Sequence, residues 1–414
     1  MSTLQRTLRD RVLPAITAFG DNPTLSAIRA GMVAVVPLTI IGGLFMIAAH
    51  LPIAGWEERI ATWRPLLELP VTATFGLLAV FVCHAIAADL GQRLGHDPQA
   101  CGALATVSFL LLQLSPKEQT LTMAGLGSAG LFTAIIVALV CVRVKHVLTE
   151  RNLVIRLPAG VPAMVAESFL SLVPMAVLVA GFWTVRFVLG LDINALVQAA
   201  FSPLVFALNT LPGILVYAFL VTLLWSVGIN GDNAMDAIVA PVFLQYLADN
   251  VAAIAQGRPT PFVTANGFFT TFVNVGGTGA TLALALVLWN SREPGLRRVC
   301  RLSLPTQIFQ INEPIFFGLP IVLNPLLMIP YVLSALLLTT GTYLLMDAGL
   351  IGRPYVNVPW TTPPIIGHYL VTGGDWRAAV WGVVSLGLAM LVYLPFARTL
   401  ERRRLAASTQ EKTA

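Results

Sequence analysis

Runs of about twenty apolar residues recur from one end of this chain to the other, and nothing constrains its fold more. Each run, wound as an α-helix, is long enough to cross a hydrocarbon core of about 30 Å. The clearest lie at 30–50, 71–90, 125–142, 166–183, 212–229, 325–346 and 378–396. Of the 414 residues, 57% are hydrophobic and 11% charged. Soluble domains carry about twice that charged fraction. The predicted fold is therefore an all-α polytopic membrane protein. No signal peptide is expected, because the first apolar run is full length and lacks a small-residue cleavage pattern.

Orientation follows from the cations. Arg6, Arg9 and Arg11 precede the first span, and Arg398, Arg402, Arg403 and Arg404 follow the last. Arg143, Lys145, Arg151 and Arg156 cluster in one link, and Arg292, Arg297, Arg298 and Arg301 in another. Intervening links such as "GWEERIATWR" (55–64) are poorer in cations. The positive-inside rule then puts both termini in the cytoplasm, which requires an even number of crossings; about ten fits the length. The net charge of +5 reports this topology, with no basic soluble face for nucleic acid. The four cysteines, Cys83, Cys101, Cys141 and Cys300, are far apart and form no C-x-x-C, so they read as packed thiols; neither a metal site nor a disulfide framework is expected.

The two halves differ in texture. Residues 25–190 are mostly clean spans. After about 190, Gly, Pro, Asn and Thr break the apolar runs at "GINGDNAM" (228–235), "NVGGTGAT" (274–281), "INEPIFFGLPIVLNP" (311–325) and "VPWTTPPIIGHYLVTGGDW" (358–376). Broken helices survive at membrane depth only where the freed backbone meets protein or a wet cavity, and carriers build substrate sites from them. The expected division is a transmembrane scaffold half over 1–190, a transport half over 191–397, and a cytoplasmic tail over 398–414.

Within the breaks, Glu313 is the first functional candidate. An intramembrane carboxylate is costly, and Pro314 fixes it at a helix break. With the amide of Asn312 it pairs an acceptor and a donor for sugar hydroxyls, and it is a candidate general base. The competing reading is an ion pair with an arginine. Asn230, Asp232 and Asn233 offer polar groups around a glycine turn; Asp232 reads equally as the N-cap of a helix starting at Ala234. "NVGGTGAT" lacks the Gly-Lys-Ser/Thr ending of a nucleotide loop and reads as a close helix approach or re-entrant turn. Trp360 suits either stacking on a sugar ring or a membrane-interface belt, with Thr361 and Thr362 supplying hydroxyls. His368 and His84 read as packing residues.

"FQINEPIFFGLPIVLNPLLMIPYVL" (309–333) closely resembles the signature of enzyme IIC, the sugar-transporting membrane subunit of the bacterial phosphotransferase system, in its lactose/cellobiose/diacetylchitobiose branch. "NPTLSAIRAGMVAVVPLTIIGGLF" (22–45), "RLPAGVPAMVAESFLSLVP" (156–174), "VGGTGATLAL" (275–284) and "VPWTTPPIIGHYLVTGGDWRAAV" (358–380) follow in that family's order, so nearly the whole chain is covered. The resemblance implies a homodimer in the bacterial inner membrane, with the 1–190 half as its dimerisation scaffold and the 191–397 half holding the sugar. Each subunit would have about ten transmembrane helices plus re-entrant hairpins, the EIIC-type fold. It also implies inward transport of a disaccharide-like glycoside, phosphorylated by a phosphocysteine on a separate cytoplasmic IIB protein. No cofactor is implied. It assigns Glu313 as the acid that binds sugar, with Asn312 beside it and Trp360, Thr361 and Thr362 in the second sugar segment. One position departs: Asn230 stands where the family usually has the histidine of Gly-Ile-His-Gly. Asn binds a sugar but accepts no proton near neutral pH. Two expectations follow: proton chemistry resting on Glu313, with or without Asp232, or a carrier or sugar sensor that does not phosphorylate.

Overall fold

The computed structural model describes residues 22–50, 55–115, 120–121, 123–158, 160–161, 163–319 and 321–413. Arg6, Arg9 and Arg11 lie outside the described residues. The longer helices are α1 (Pro23–Ala34), α2 (Val36–Ala49), α3 (Arg64–Thr74), α4 (Leu78–Arg93), α5 (Pro98–Gln113), α6 (Leu131–Glu150), α7 (Ala163–Trp183), α8 (Ile193–Leu208), α9 (Leu211–Ser226), α10 (Gly231–Ala255), α11 (Thr281–Leu288), α12 (Pro294–Ile308), α13 (Glu313–Gly318), α14 (Pro325–Asp347), α15 (Ile366–Val371) and α16 (Trp376–Thr413). No strand is present among the described residues beyond one isolated bridge, Leu114 with Leu121.

Many of these helices begin the same way. A polar residue caps the first turn and proline follows it, where the missing N–H costs nothing. Asn22 accepts from the Thr24 amide, Asp97 from Ala100, Glu293 from Gly295 and Leu296, and Asn324 from Leu326, each with proline next in sequence.

Among the described residues seven helical stretches are long and apolar enough to cross a membrane, or eight if one bent pair counts as a span. The bent pair is α8 and α9, which meet at 81°. The sharp corner arises because Thr210 caps α9 and Pro212 cannot continue the α8 ladder. The expected count of about ten is reduced by this bend and by α5, which is apolar but only 16 residues long. The span Pro23–Ala49 is itself interrupted between α1 and α2.

The chain divides into two compact units. The first runs to Gly42 and continues through Pro70–Leu204 and Asp236–Pro241; the second comprises Gly43–Leu69, Val205–Met235 and Val242–Ala414. In the first, α1, α4, α5 and α6 pack side by side. Small residues set their spacing: a Cβ on Gly102 of α5 would come within 2.5 Å of the His84 ring on α4. Cys83, Cys101 and Cys141 are buried on α4, α5 and α6 and form no disulfide among the described residues. In the second unit, α9 packs on α14, and α11, α14 and α15 pack on α16.

Candidate functional site

The break predicted at 228–235 is a turn between α9 and α10. Asn230, half-buried, is the N-cap of α10: its Oδ1 accepts from the Asn233 amide at 2.9 Å. The helix therefore starts at Gly231, and the alternative role of Asp232 as its cap is not the one adopted. Asp232 sits in the first turn and turns its carboxylate to protein donors. Oδ2 accepts from Trp225 Nε1 at 2.8 Å and from the Thr278 hydroxyl at 2.7 Å, while Asn274 Nδ2 stands 3.5 Å from Oδ1. Asn233 is exposed.

Thr278 belongs to the glycine-rich loop, and that loop is held from several sides. Gly277 and Gly279 adopt φ of 103° and 76°, and a Cβ on them would lie 2.5 Å from Asn312 Cβ and 2.3 Å from the Tyr331 ring. Only glycine meets both demands. Gln310 Oε1 accepts from the amides of Gly276 (2.8 Å) and Gly277 (3.0 Å), and the Tyr393 hydroxyl donates to Gly279 O at 2.7 Å. Asn312 Nδ2 donates to Thr278 O at 3.0 Å. Asn312 occupies the cap position of α13 with Pro314 after it, yet makes no side-chain cap bond. Its amide, buried, is diverted across to the neighbouring loop.

This diversion positions Glu313. It is the first residue of α13, exposed, and forms no ion pair among the described residues, so the arginine-pair reading does not hold there. Behind it, fully buried Phe316 anchors α13, its ring 5.1 Å from Trp225 and 5.6 Å from Tyr331. Burying such a ring stabilises the segment by about 1.5–3 kcal/mol. Trp225 thus serves both sides, packing on Phe316 and donating to Asp232. The Tyr331 ring, on α14, packs beside Phe316. Among the described residues its hydroxyl and Asn274 Oδ1 are buried without hydrogen-bond partners. Buried polar atoms of that kind call for a water or a ligand hydroxyl.

The break at 358–376 is reached through a π-helical turn, Phe268–Val273. Gln310 Nε2 donates to Thr270 O at 3.4 Å, and Gly367 packs against the side chains of Thr271 and Thr362. Thr362 donates to Pro359 O at 2.6 Å; Thr361 is half-buried and Trp360 is 60% exposed. No hydrogen bond or ring contact joins Trp360 to Glu313 among the described residues. His368 is fully buried, its Nδ1 accepting from the Ile365 amide and its ring against Phe272, as a packing residue would be. An apolar groove of about 550 Å³ between α9 and α14, lined by Leu215, Phe219, Leu333, Leu337 and Thr340 among others, has little to offer a polyol.

Sequence reading missed Trp225, Gln310, Tyr331 and Tyr393. Gln310 carried a signal, standing two residues before Asn312, just ahead of the 311–325 break. The aromatics carried none, because each lies in an apolar run where an aromatic is ordinary.

Comparison with known proteins gives a consistent result. The family model described as phosphotransferase system, EIIC, matches residues 29–335. The cellobiose-specific EIIC component of Geobacillus stearothermophilus is 35% identical, covering 100% of this chain and 98% of that one. The lichenan permease IIC component of Bacillus subtilis (strain 168) is 33% identical over 98% of this chain and 95% of its own. The crystal structure of ChbC, the IIC component of the N,N'-diacetylchitobiose-specific phosphotransferase system, superposes with a TM-score of 0.90 at 34% identity, covering 98% and 99% of the two chains.

Proposed function

The chain belongs to the EIIC family of phosphotransferase-system membrane components, and from that membership we propose that it carries a disaccharide-like glycoside of the cellobiose type inward. In this reading the cargo is phosphorylated by a separate cytoplasmic IIB protein. The cellobiose and lichenan relatives, each covered nearly end to end, support the sugar class. The protein is a multi-pass membrane component; the bacterial inner membrane, cytoplasmic termini and a homodimer are part of the proposal. Residues 1–190 serve as scaffold and dimer contact, 191–397 as the transport half.

The observation that carries the site assignment is the exposure of Glu313 at a break whose neighbours are all engaged elsewhere. Asp232 is occupied by Trp225 and Thr278, and Asn312 by Thr278 O. They hold the two loops in register, and the free carboxylate is left for sugar hydroxyls. Asn230, Asn233, Trp360, Thr361 and Thr362 complete the sugar-facing set. During transfer the sugar hydroxyl forms the new P–O bond, the S–P bond of phospho-IIB breaks, and Glu313 takes the hydroxyl proton. Asn230, a cap with an amide side chain, takes none.

The test is uptake of cellobiose into vesicles with and without phosphorylated IIB. Sugar phosphate appearing only with phospho-IIB is expected. Free sugar accumulating at the same rate without it contradicts the proposal.

A further inference from the structure

One face of α12 has no part in the sugar site. At 100° per residue, Leu296, Cys300, Ser303 and Gln307 share one side of this helix, and all are buried. The opposite side carries Arg298, Arg301, Leu302, Pro305, Ile308 and the C-cap Phe309, all exposed. Along that stripe the chemistry changes from guanidinium to apolar over about 15 Å, at 1.5 Å per residue. Leu302 is 72% exposed and Phe309 53%. A helix with cations at one end of its outer face and apolar groups at the other matches the boundary between headgroups and acyl chains. A water-soluble partner would explain the arginines and leave Leu302, Ile308 and Phe309 uncovered.

A second set of cations lies on α16, whose end is clasped to the corner that starts α12. Glu401 of α16 accepts from the Ser291 hydroxyl and the Arg292 amide, and Arg404 pairs with Glu293 at 4.0 Å. Arg398 and Arg402, both exposed, are i,i+4 neighbours on α16. Neither they nor Arg298 form an ion pair among the described residues. Arg301 is preset: its guanidinium lies 5.2 Å from the Trp289 ring centre and donates to Trp289 O and Asn290 Oδ1 at 3.3 Å. Both glutamates that could neutralise the corner are spent inside the clasp.

We propose that α12 and the end of α16 form a binding surface for an anionic phospholipid. Arg298, Arg301 and the Arg398/Arg402 pair engage its phosphate, and the Leu302–Phe309 face lies along its acyl chains. The proposal requires only that the chain sits in a bilayer, so it stands or falls separately from the sugar reading.

The test uses the full chain in nanodiscs of equal parts phosphatidylcholine and phosphatidylglycerol, with co-purifying lipid counted by native mass spectrometry. Each cation near an anionic leaflet is worth about 1 kcal/mol, or about fivefold in affinity. The wild type is expected to retain phosphatidylglycerol over phosphatidylcholine, less so as salt rises. Combining Arg298→Gln, Arg398→Gln and Arg402→Gln should abolish that preference, the corresponding lysine variants should keep most of it, and cellobiose binding should be unchanged in both. The proposal is overturned if the wild type shows no preference or if the glutamine variant keeps it in full. It is equally overturned if that variant keeps its lipid and loses only its response to phospho-IIB, which would make the surface a protein dock.

Discussion

The first unit and the second solve the same problem in different ways. Backbone polar groups in hydrocarbon need partners. The first unit meets this mainly with long helices whose ladders are self-sufficient, brought close by small residues such as Gly102. The second breaks its helices and assigns side chains to the freed groups: Gln310 to the amides of Gly276 and Gly277, Asn312 and Tyr393 to the carbonyls of Thr278 and Gly279. Backbone strain follows the same division. Of the five non-glycine residues with positive φ among the described residues, only Asn152, a type that tolerates it, lies in the first unit; Ala280, Gln310, Leu323 and Ile365 lie in the second. Strain of about 1–3 kcal/mol per residue persists where surrounding contacts enforce it, commonly at ligand sites.

The comparison breaks first, and hardest, at Glu313. Glu313→Gln should abolish cellobiose uptake, since each hydrogen bond to a charged acceptor is worth about 1.5–3 kcal/mol, or roughly tenfold to a hundredfold per hydroxyl. Glu150→Gln in the first unit should leave uptake as it is. Wild-type uptake by the Glu313 variant would remove that residue from the site.

Next is the clamp. Gln310→Leu deprives two buried amides of their acceptor, at about 1–3 kcal/mol each. Thermal unfolding of the detergent-solubilised chain should show a loss of about 2–5 kcal/mol together with weakened sugar binding. Cys101→Ala in the first unit should cost about 1 kcal/mol and leave affinity alone. Equal losses of affinity in the two variants would erase the distinction between the units.

A smaller effect is expected at Asn230→His. Loss of the α10 cap should lower stability by about 0.5–2 kcal/mol, while phosphorylation in the vesicle assay is preserved or raised. Lost phosphorylation at normal sugar affinity would show that the asparagine has a role of its own.

The smallest effect lies at the corner before α16. Burial pushes the Asp375 carboxyl up, but hydrogen bonds from Arg377 and from the Gly352 amide outweigh it and hold the group below its ordinary value. A depressed carboxylate stabilises the fold above its unfolded value of about 4 and loses that contribution as the pH falls through the folded value. Asp375→Asn should therefore lower Tm slightly at neutral pH, a pair whose arginine is exposed being worth about 0–1 kcal/mol, and the gap should close below about pH 4. A gap independent of pH would assign the loss to packing.

Much of this contrast was legible in the residues. Twenty-residue apolar windows located most spans, and polar–proline pairs such as Asn22-Pro23 and Asn324-Pro325 mark helix starts by local chemistry alone. The breaks at 228–235, 274–281 and 311–325 were visible because Gly, Asn and Pro are costly in hydrocarbon. The span at α10 was harder to see, since Asp232, Asn233 and Asp236 dilute its first turns. The use of each polar group was hidden as well. Asn312-Glu313-Pro314 reads like the capped starts elsewhere, and only the proximity of Thr278, thirty-four residues earlier, turns the Asn312 amide away from its own helix. Asp232 looked like a cap or a base; Asn230 takes the cap, and Trp225 and Thr278 donate to the Asp232 carboxylate.

In the proposed mechanism the broken second unit offers Glu313 to the sugar while its polar neighbours hold the loops. Calorimetric titration of the full chain with cellobiose, for wild type and Glu313→Gln, tests it most directly, because it reads binding without transport or phosphoryl transfer. With Tm unchanged by the substitution, saturable binding to the wild type and none to the variant over the same range are expected. Equal affinity in both would contradict it.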